Sequence, residues 1–309
     1  MMPVWENGEW HMWFATDAGL IKGKIVDLSC GDYLAHAPAQ PTDLHIPFMH
    51  ILWQHISWPS ITPYIVAISD DIQNLGVSTA KMRFFFDHVS TMRGQTSTSF
   101  VTTELEYSVM LARSIFDLFQ KLISIVWDQN VRLSDTELER TRKRIGSLPE
   151  TFSKMVLADK KVLRTSEEIQ AKYGLPPTLA KEYESAGHFF SQLRDIRDSL
   201  VHGTKPFGTV FETEKGFCVD PKSQPYSGLV EWKAFHYYNE NIVSLTPWIA
   251  EVAVNTIQTC HRLVLSFATS IAQPPEIAPG YLVYTRGPQN LALMNLLDIK
   301  NGSDPWWTK

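Results

Sequence analysis

Arg194-Asp195-Ile196-Arg197-Asp198-Ser199-Leu200-Val201-His202-Gly203 closes a long helical pattern and gathers two arginines, two aspartates and a histidine at its end. Upstream of it, from Pro176-Pro177 onward, Leu179, Tyr183, Ala186, Phe190, Leu193 and Ile196 recur at intervals of three and four. That spacing predicts a helix over 177–202 with one side committed to a core. Arg194, Arg197 and Asp198 stand in i, i+3, i+4 relation and project together from another sector. Gly203 supplies the left-handed residue that commonly ends a helix.

Two further long helices are expected around this one. Residues 98–129 carry apolar side chains over more than a narrow stripe, which suits a helix in the middle of a bundle. Thr102 or Thr103 is its candidate cap. Residues 239–271 form the other, with Pro247 near an early turn. Shorter helices are expected at 64–75 and 78–92, with Ser78 capping the second. The fold class is therefore mainly α, a helical bundle, with its helical domain over 63–272.

Two insertions interrupt this domain. Residues 132–174 read as short charged helices lying over the core. They start at Ser134-Asp135-Thr136-Glu137, at Pro149, and at Thr165/Ser166 ahead of Glu168. Residues 207–237 switch to a small antiparallel β element, turning at Glu214-Lys215-Gly216 and including Leu229–Trp232. Residues 1–62 are rich in tryptophan and proline. They read as an irregular, partly β extension with strands at 10–15 and 19–28. The tail, 273–309, with Trp306-Trp307, is expected to pack on the body.

Composition narrows the function. The 309 residues, 44% apolar and 12% aromatic, can bury a substantial core. A net charge of −5 argues against a general nucleic-acid coat. The charge is uneven, however. Residues 140–164 hold eight Lys/Arg against Glu150 and Asp159, net +6, which leaves −11 elsewhere. Such a patch suits a selective anionic partner, or it is a solvated helix face. Cys30, Cys218 and Cys260 lie too far apart in sequence for a zinc motif, and point to a reducing, cytoplasmic setting. Neither a secretory signal nor a membrane span is expected. His45, His50 and His55 are spaced by five, whereas ligands on one helix face need three or four. Packing is their better reading.

The run Arg197-Asp198-x3-His202 at a helix end resembles the signature of the HEPN (higher eukaryotes and prokaryotes nucleotide-binding) superfamily: Arg, then Asn, Asp or His, three residues, then His. The resemblance implies a HEPN-like bundle and a metal-independent endoribonuclease, used as a toxin or in phage defence. In that chemistry the 2′-hydroxyl of RNA is the nucleophile, and a base with a cation at the phosphate suffices. The implied catalytic residues are Arg197, His202 and Asp198; Arg194 and Lys205 would contact flanking phosphates. No metal and no cofactor are expected. The implied partners are RNA, a second copy docked through the motif helix, and a neutralising or sensor protein.

Five helical residues turn through about 500°, so Arg197 and His202 converge only if His202 leaves the helix. Some family members carry a tyrosine two residues after the histidine; this chain has Thr204. Two alternatives stay open, a helix-end salt-bridge cluster and a non-catalytic interaction module. A second Arg-x4-His spacing, Arg83 to His88, has Phe84 after the arginine and reads as packing and solubility.

Overall fold

The computed structural model describes residues 2–17, 19–92, 96–129, 132–159, 161–202 and 207–302. The chain opens with strands β1 (Val4–Glu6), β2 (Glu9–Thr16), β3 (Gly19–Ile25) and β4 (Gly31–Ala35). Helices α1 (Pro47–Ile56), α2 (Thr62–Asp87) and α3 (Thr96–Gln129) follow. The middle region holds α4 (Thr136–Ile145), α5 (Phe152–Val156), β5 (Leu157–Asp159), β6 (Val162–Leu163) and α6 (Ser166–Tyr173). Then come the motif helix α7 (Pro177–Val201), strands β7 (Phe211–Thr213), β8 (Gly216–Val219) and β9 (Val243–Ser244), and α8 (Thr246–Ser270). β10 (Leu282–Arg286) and α9 (Asn290–Lys300) close the described chain. The protein is mainly α, with a mixed sheet and two small antiparallel sheets.

α3 is the axis of the bundle, packed by α2, α7 and α8. Its apolar residues are buried on several sides, as Val109, Phe116, Phe119, Leu122 and Val126 show, because it has a neighbour on each. Thr102 and Thr103 lie inside this helix, bonded to the carbonyls of Thr98 and Ser99, and do not cap it. The expected break before Ser78 is absent. α2 runs unbroken, and the buried Ser78 hydroxyl bonds instead to the Glu104 carbonyl and to Ser108 on α3.

In the middle region α5 and α6 are part of the core, whereas α4 has no buried residue. Phe152, Met155, Ile169 and Tyr173 are buried, and α5 and α6 pack on α7. Asp135 caps α4 by accepting from Glu137 and Leu138. Thr165 and Glu168 form the reciprocal capping box of α6, which ends at Gly174 in the left-handed conformation. The 207–237 element contains the expected hairpin at 213–216, but its third strand is β9, and Leu229–Trp232 form none.

The two chain ends are not separate appendages. They make one five-stranded sheet ordered β10-β4-β1-β2-β3. β4 runs parallel to β1 and antiparallel to β10, with Tyr284 opposite Tyr33. A buried clasp fixes this junction. Arg286 donates from Nε and a terminal nitrogen to Asp43 at 3.2 and 3.1 Å and lies 4.8 Å over the Trp10 ring. Tyr33 also donates to Asp43, at 2.7 Å. The three histidines serve the same junction: His45 and His50 meet the backbone of Val283, and His55 that of Pro274. Trp306 and Trp307 lie outside the described residues.

Candidate functional site

α7 begins at Pro176-Pro177, where the fixed φ of Pro177 suits a first helical position. Its buried row, Tyr183, Phe190, Leu193 and Ile196 among it, faces the core. Tyr183 donates to Gln120 at 2.8 Å, and the Arg113 guanidinium lies 4.2 Å over the Phe190 ring. These pairings run α7 antiparallel to α3, which carries the motif end towards the N-terminal part of α3. Arg113 is also ion-paired with Asp117, one turn along α3, at 2.6 Å, and Asp117 accepts from the Phe152 N–H at 3.1 Å.

The helix holds its pattern through the motif. His202 occupies the cap position with φ −88° and ψ 11°, its N–H bonded to the Asp198 carbonyl at 3.0 Å. His202 therefore does not swing out to meet Arg197. It continues the row Arg194, Asp198, His202, at i, i+4 and i+8, and Arg197 flanks that row. Asp198 lies between both arginines: Arg197 donates to Oδ1 at 3.1 Å, and Arg194 approaches Oδ2 at 3.4 Å. One carboxylate thus orients two guanidinium groups within one helix. His202 and Val201 are exposed. Lys205 and Gly203 lie outside the described residues.

Two clefts are lined by α7 or by the residues that follow the motif. The larger, of about 940 Å³, lies between α3 and the segment after the motif and is lined by Thr98, Thr102, Glu106, Thr209 and Glu212. Its hydroxyl-rich wall was not legible in sequence, because it joins residues about a hundred positions apart. The smaller, about 250 Å³, lies between the Gln192/Asp195/Ser199 flank of α7 and residues 224–229. Gln192 donates to the Gly228 carbonyl at 3.1 Å and closes part of that flank.

The remaining sequence candidates fall elsewhere. Arg83 pairs with Asp87 at 3.0 Å, and His88 stacks on Phe84 at 4.0 Å, a local arrangement at the end of α2. In the basic run, Arg142 pairs with Glu139 and reaches the Trp127 carbonyl, and it holds the Glu139 carboxyl down at about 2. Arg140 pairs with Glu137. This part of the run is a helix surface knitted to its own glutamates. Among the described residues no group of three His, Cys, Asp or Glu converges as a metal site. No helix among them is long and apolar enough to cross a membrane.

No family model, curated protein or solved structure matches the chain.

Proposed function

We propose that the protein is a metal-independent endoribonuclease of HEPN type, acting as a toxin or phage-defence effector, with the α2–α3–α7–α8 bundle as a HEPN-like core. The observation that carries this reading is the helix end itself. Two guanidinium groups are held by one carboxylate, Asp198, beside an exposed imidazole in the same helical row. Arginine is permanently charged and can fork two phosphate oxygens. An imidazole can both accept and donate a proton.

In the reaction His202 takes the proton of a 2′-hydroxyl as its oxygen bonds to phosphorus. The bond from phosphorus to the 5′-oxygen breaks, and that oxygen leaves protonated. Arg197 and Arg194 offset charge on the non-bridging oxygens. The products are a 2′,3′-cyclic phosphate and a 5′-hydroxyl. A second copy of the helix end, related by a twofold axis, would supply another imidazole to protonate the leaving oxygen.

Induced expression tests this reading. Wild type should arrest growth, and His202→Ala should be tolerated at equal protein level. Purified wild type should cleave RNA in EDTA and leave 2′,3′-cyclic ends. Arg83→Ala and His88→Ala should cleave as wild type does. Dependence on Mg²⁺, or full activity in folded His202→Ala, would overturn the mechanism. A non-catalytic interaction module is the second reading. It is favoured by the same ion pairs, since Asp198 already offsets charge that a phosphate would otherwise meet.

A further inference from the structure

A cavity of about 770 Å³ opens between the five-stranded sheet and helices α1 and α2, built from elements separate from the motif helix. Trp53, Pro59, Pro63 and Val66 line its walls. Among the described residues lining it, the only charged ones are Asp32 on β4 and Asp70 on α2.

Asp32 is wired as a hydrogen-bond acceptor. Thr285 donates to one carboxylate oxygen at 2.6 Å and Trp53 Nε1 to the other at 2.9 Å. An indole N–H can only donate, so that oxygen must accept. Ser69 is a third hydrogen-bond partner of the carboxylate. The Ser69 hydroxyl oxygen already accepts from Gln73 at 3.3 Å, which leaves its own proton for Asp32. Gln73 is oriented in turn by Gln289, at 3.0 Å.

Among the described residues no cation is paired with this carboxylate. Protein atoms crowd the carboxylate, and that desolvation pushes its carboxyl above the usual range; the nearby Asp70 charge pushes the same way. A desolvated anion whose charged neighbour has the same sign is costly unless it takes up a proton or a cation joins it. A pocket of this size with apolar walls and a few fixed polar groups is the usual form of a small-molecule site. Its two carboxylates fall short of the six to eight oxygens that a Ca²⁺ cage requires.

We propose that this cavity binds an organic ammonium with an apolar or aromatic body. The cationic head lies between Asp32 and Asp70, and the body lies along Trp53, Pro59, Pro63 and Val66. Asp32 keeps acceptor capacity beyond its three donors, and Asp70 is exposed at the mouth. The ring of Trp53 offers a face for the body and is held by the same hydrogen bond that orients Asp32.

The test is calorimetric titration of the full chain with two matched pairs, phenethylamine against 2-phenylethanol and tryptamine against tryptophol. At least one amine should bind saturably and about tenfold or more tighter than its alcohol. Asp70→Asn, at an exposed helix position, should lower amine affinity by about tenfold and leave the alcohol unchanged. Val66→Trp, filling the mouth, should abolish amine binding. Asp32→Asn adds a second loss, provided its circular dichroism matches wild type. Equal binding of amine and alcohol would overturn the proposal, as would amine affinity unaltered in Asp70→Asn. Failure of both amines to saturate by about 10 mM would do the same. RNA cleavage is not the readout, so the result stands apart from the fate of the nuclease reading.

Discussion

Arg286→Met removes the cation from the clasp that joins the chain's two ends while keeping most of its length. The Asp43 side chain is 1% exposed and that of Arg286 9%, so solvent cannot take over the pairing. Breaking a buried pair from one side costs about 3–5 kcal/mol, because the other charge stays buried. Asp43 keeps Tyr33 and the Gln40 N–H, at 2.7 and 2.9 Å, which sets the loss near the lower end. The guanidinium over Trp10 and the bond from Arg286 to the Leu28 carbonyl, at 3.2 Å, are lost too, roughly 1–2 kcal/mol more. The apolar methionine returns about 1 kcal/mol, for a net loss of about 4 kcal/mol. Urea denaturation followed by tryptophan fluorescence reads this directly. A chain this long can unfold in steps, so amide exchange in β4 and β10 should locate the loss. Asp43→Asn combined with Arg286→Met should cost at least about 1 kcal/mol less than the sum of the single changes. A loss below about 1 kcal/mol in Arg286→Met, or simple additivity, would refute a clasp that depends on charge pairing.

Burial lowers the pKa of His50, His236 and His261 below the ordinary histidine value of 6.5. The unfolded chain then binds more protons, so their contribution is complete above about pH 6.5 and is lost as pH falls through the lowered values. Thermal unfolding temperature should therefore drop between pH 7 and 5. His50→Asn, which keeps an acceptor for the Val283 N–H, should flatten part of that drop; an unchanged slope would remove His50 from the account. Gly76→Ala should destabilise despite the better helix propensity of alanine. Its Cβ would meet Leu293 Cγ at 2.9 Å and the Gln289 carbonyl at 3.0 Å. Overpacking of about 1–3 kcal/mol opposes a propensity gain of about 1, and a net gain in urea midpoint would show that α9 yields freely.

What the sequence disclosed follows from how local each signal is. The capping box Thr165/Glu168, the helix stop at Gly174 and the Thr213–Gly216 hairpin are decided by adjacent residues, and all were legible; the start of α8 was not, because the helix expected over 239–271 begins only at Thr246, after β9. β4 and β10 were not. Each is five residues long, and their pairing joins Gly31–Ala35 to Leu282–Arg286 across most of the chain. A strand whose register is set by a distant partner shows little period of its own. Ser78 misled for a related reason. Its hydroxyl is satisfied by α3, an option that only tertiary packing creates. The shared sector of Arg194, Arg197 and Asp198 was readable because helix geometry sets it; that His202 stays in the helical row instead of leaving it was not. That Arg197 turns to the adjacent Asp198 was not, since it depends on rotamers. The donors to Asp32 come from positions 53, 69 and 285, so no sequence window contains that site.

Twofold association through α7 is constrained by the faces this helix has left. Its apolar sectors are spent on the bundle: Leu179, Tyr183, Phe190, Leu193 and Ile196 are buried. The Gln192 flank lies under residues 224–229. The exposed stripe of Lys181, Glu184, Ser185 and His188 is polar. Side-by-side docking of two whole motif helices would therefore bury little apolar area. The most exposed apolar residue of α7 is at the helix end, with Val201 55% exposed and Leu200 half-buried beside His202. A twofold contact at that end would bring two copies of the Arg194/Asp198/His202 row together. A contact so small falls below the roughly 1,000 Å² of a stable interface, so the dimer should be concentration-dependent unless other surfaces join. Light scattering should show mass rising from 35.2 kDa towards twice that with concentration. Val201→Asp should hold the chain monomeric and, on the nuclease reading, lower RNA cleavage in parallel. A nuclease that cuts at full rate as a strict monomer would reject the composite site. A dimer untouched by Val201→Asp would reject its placement.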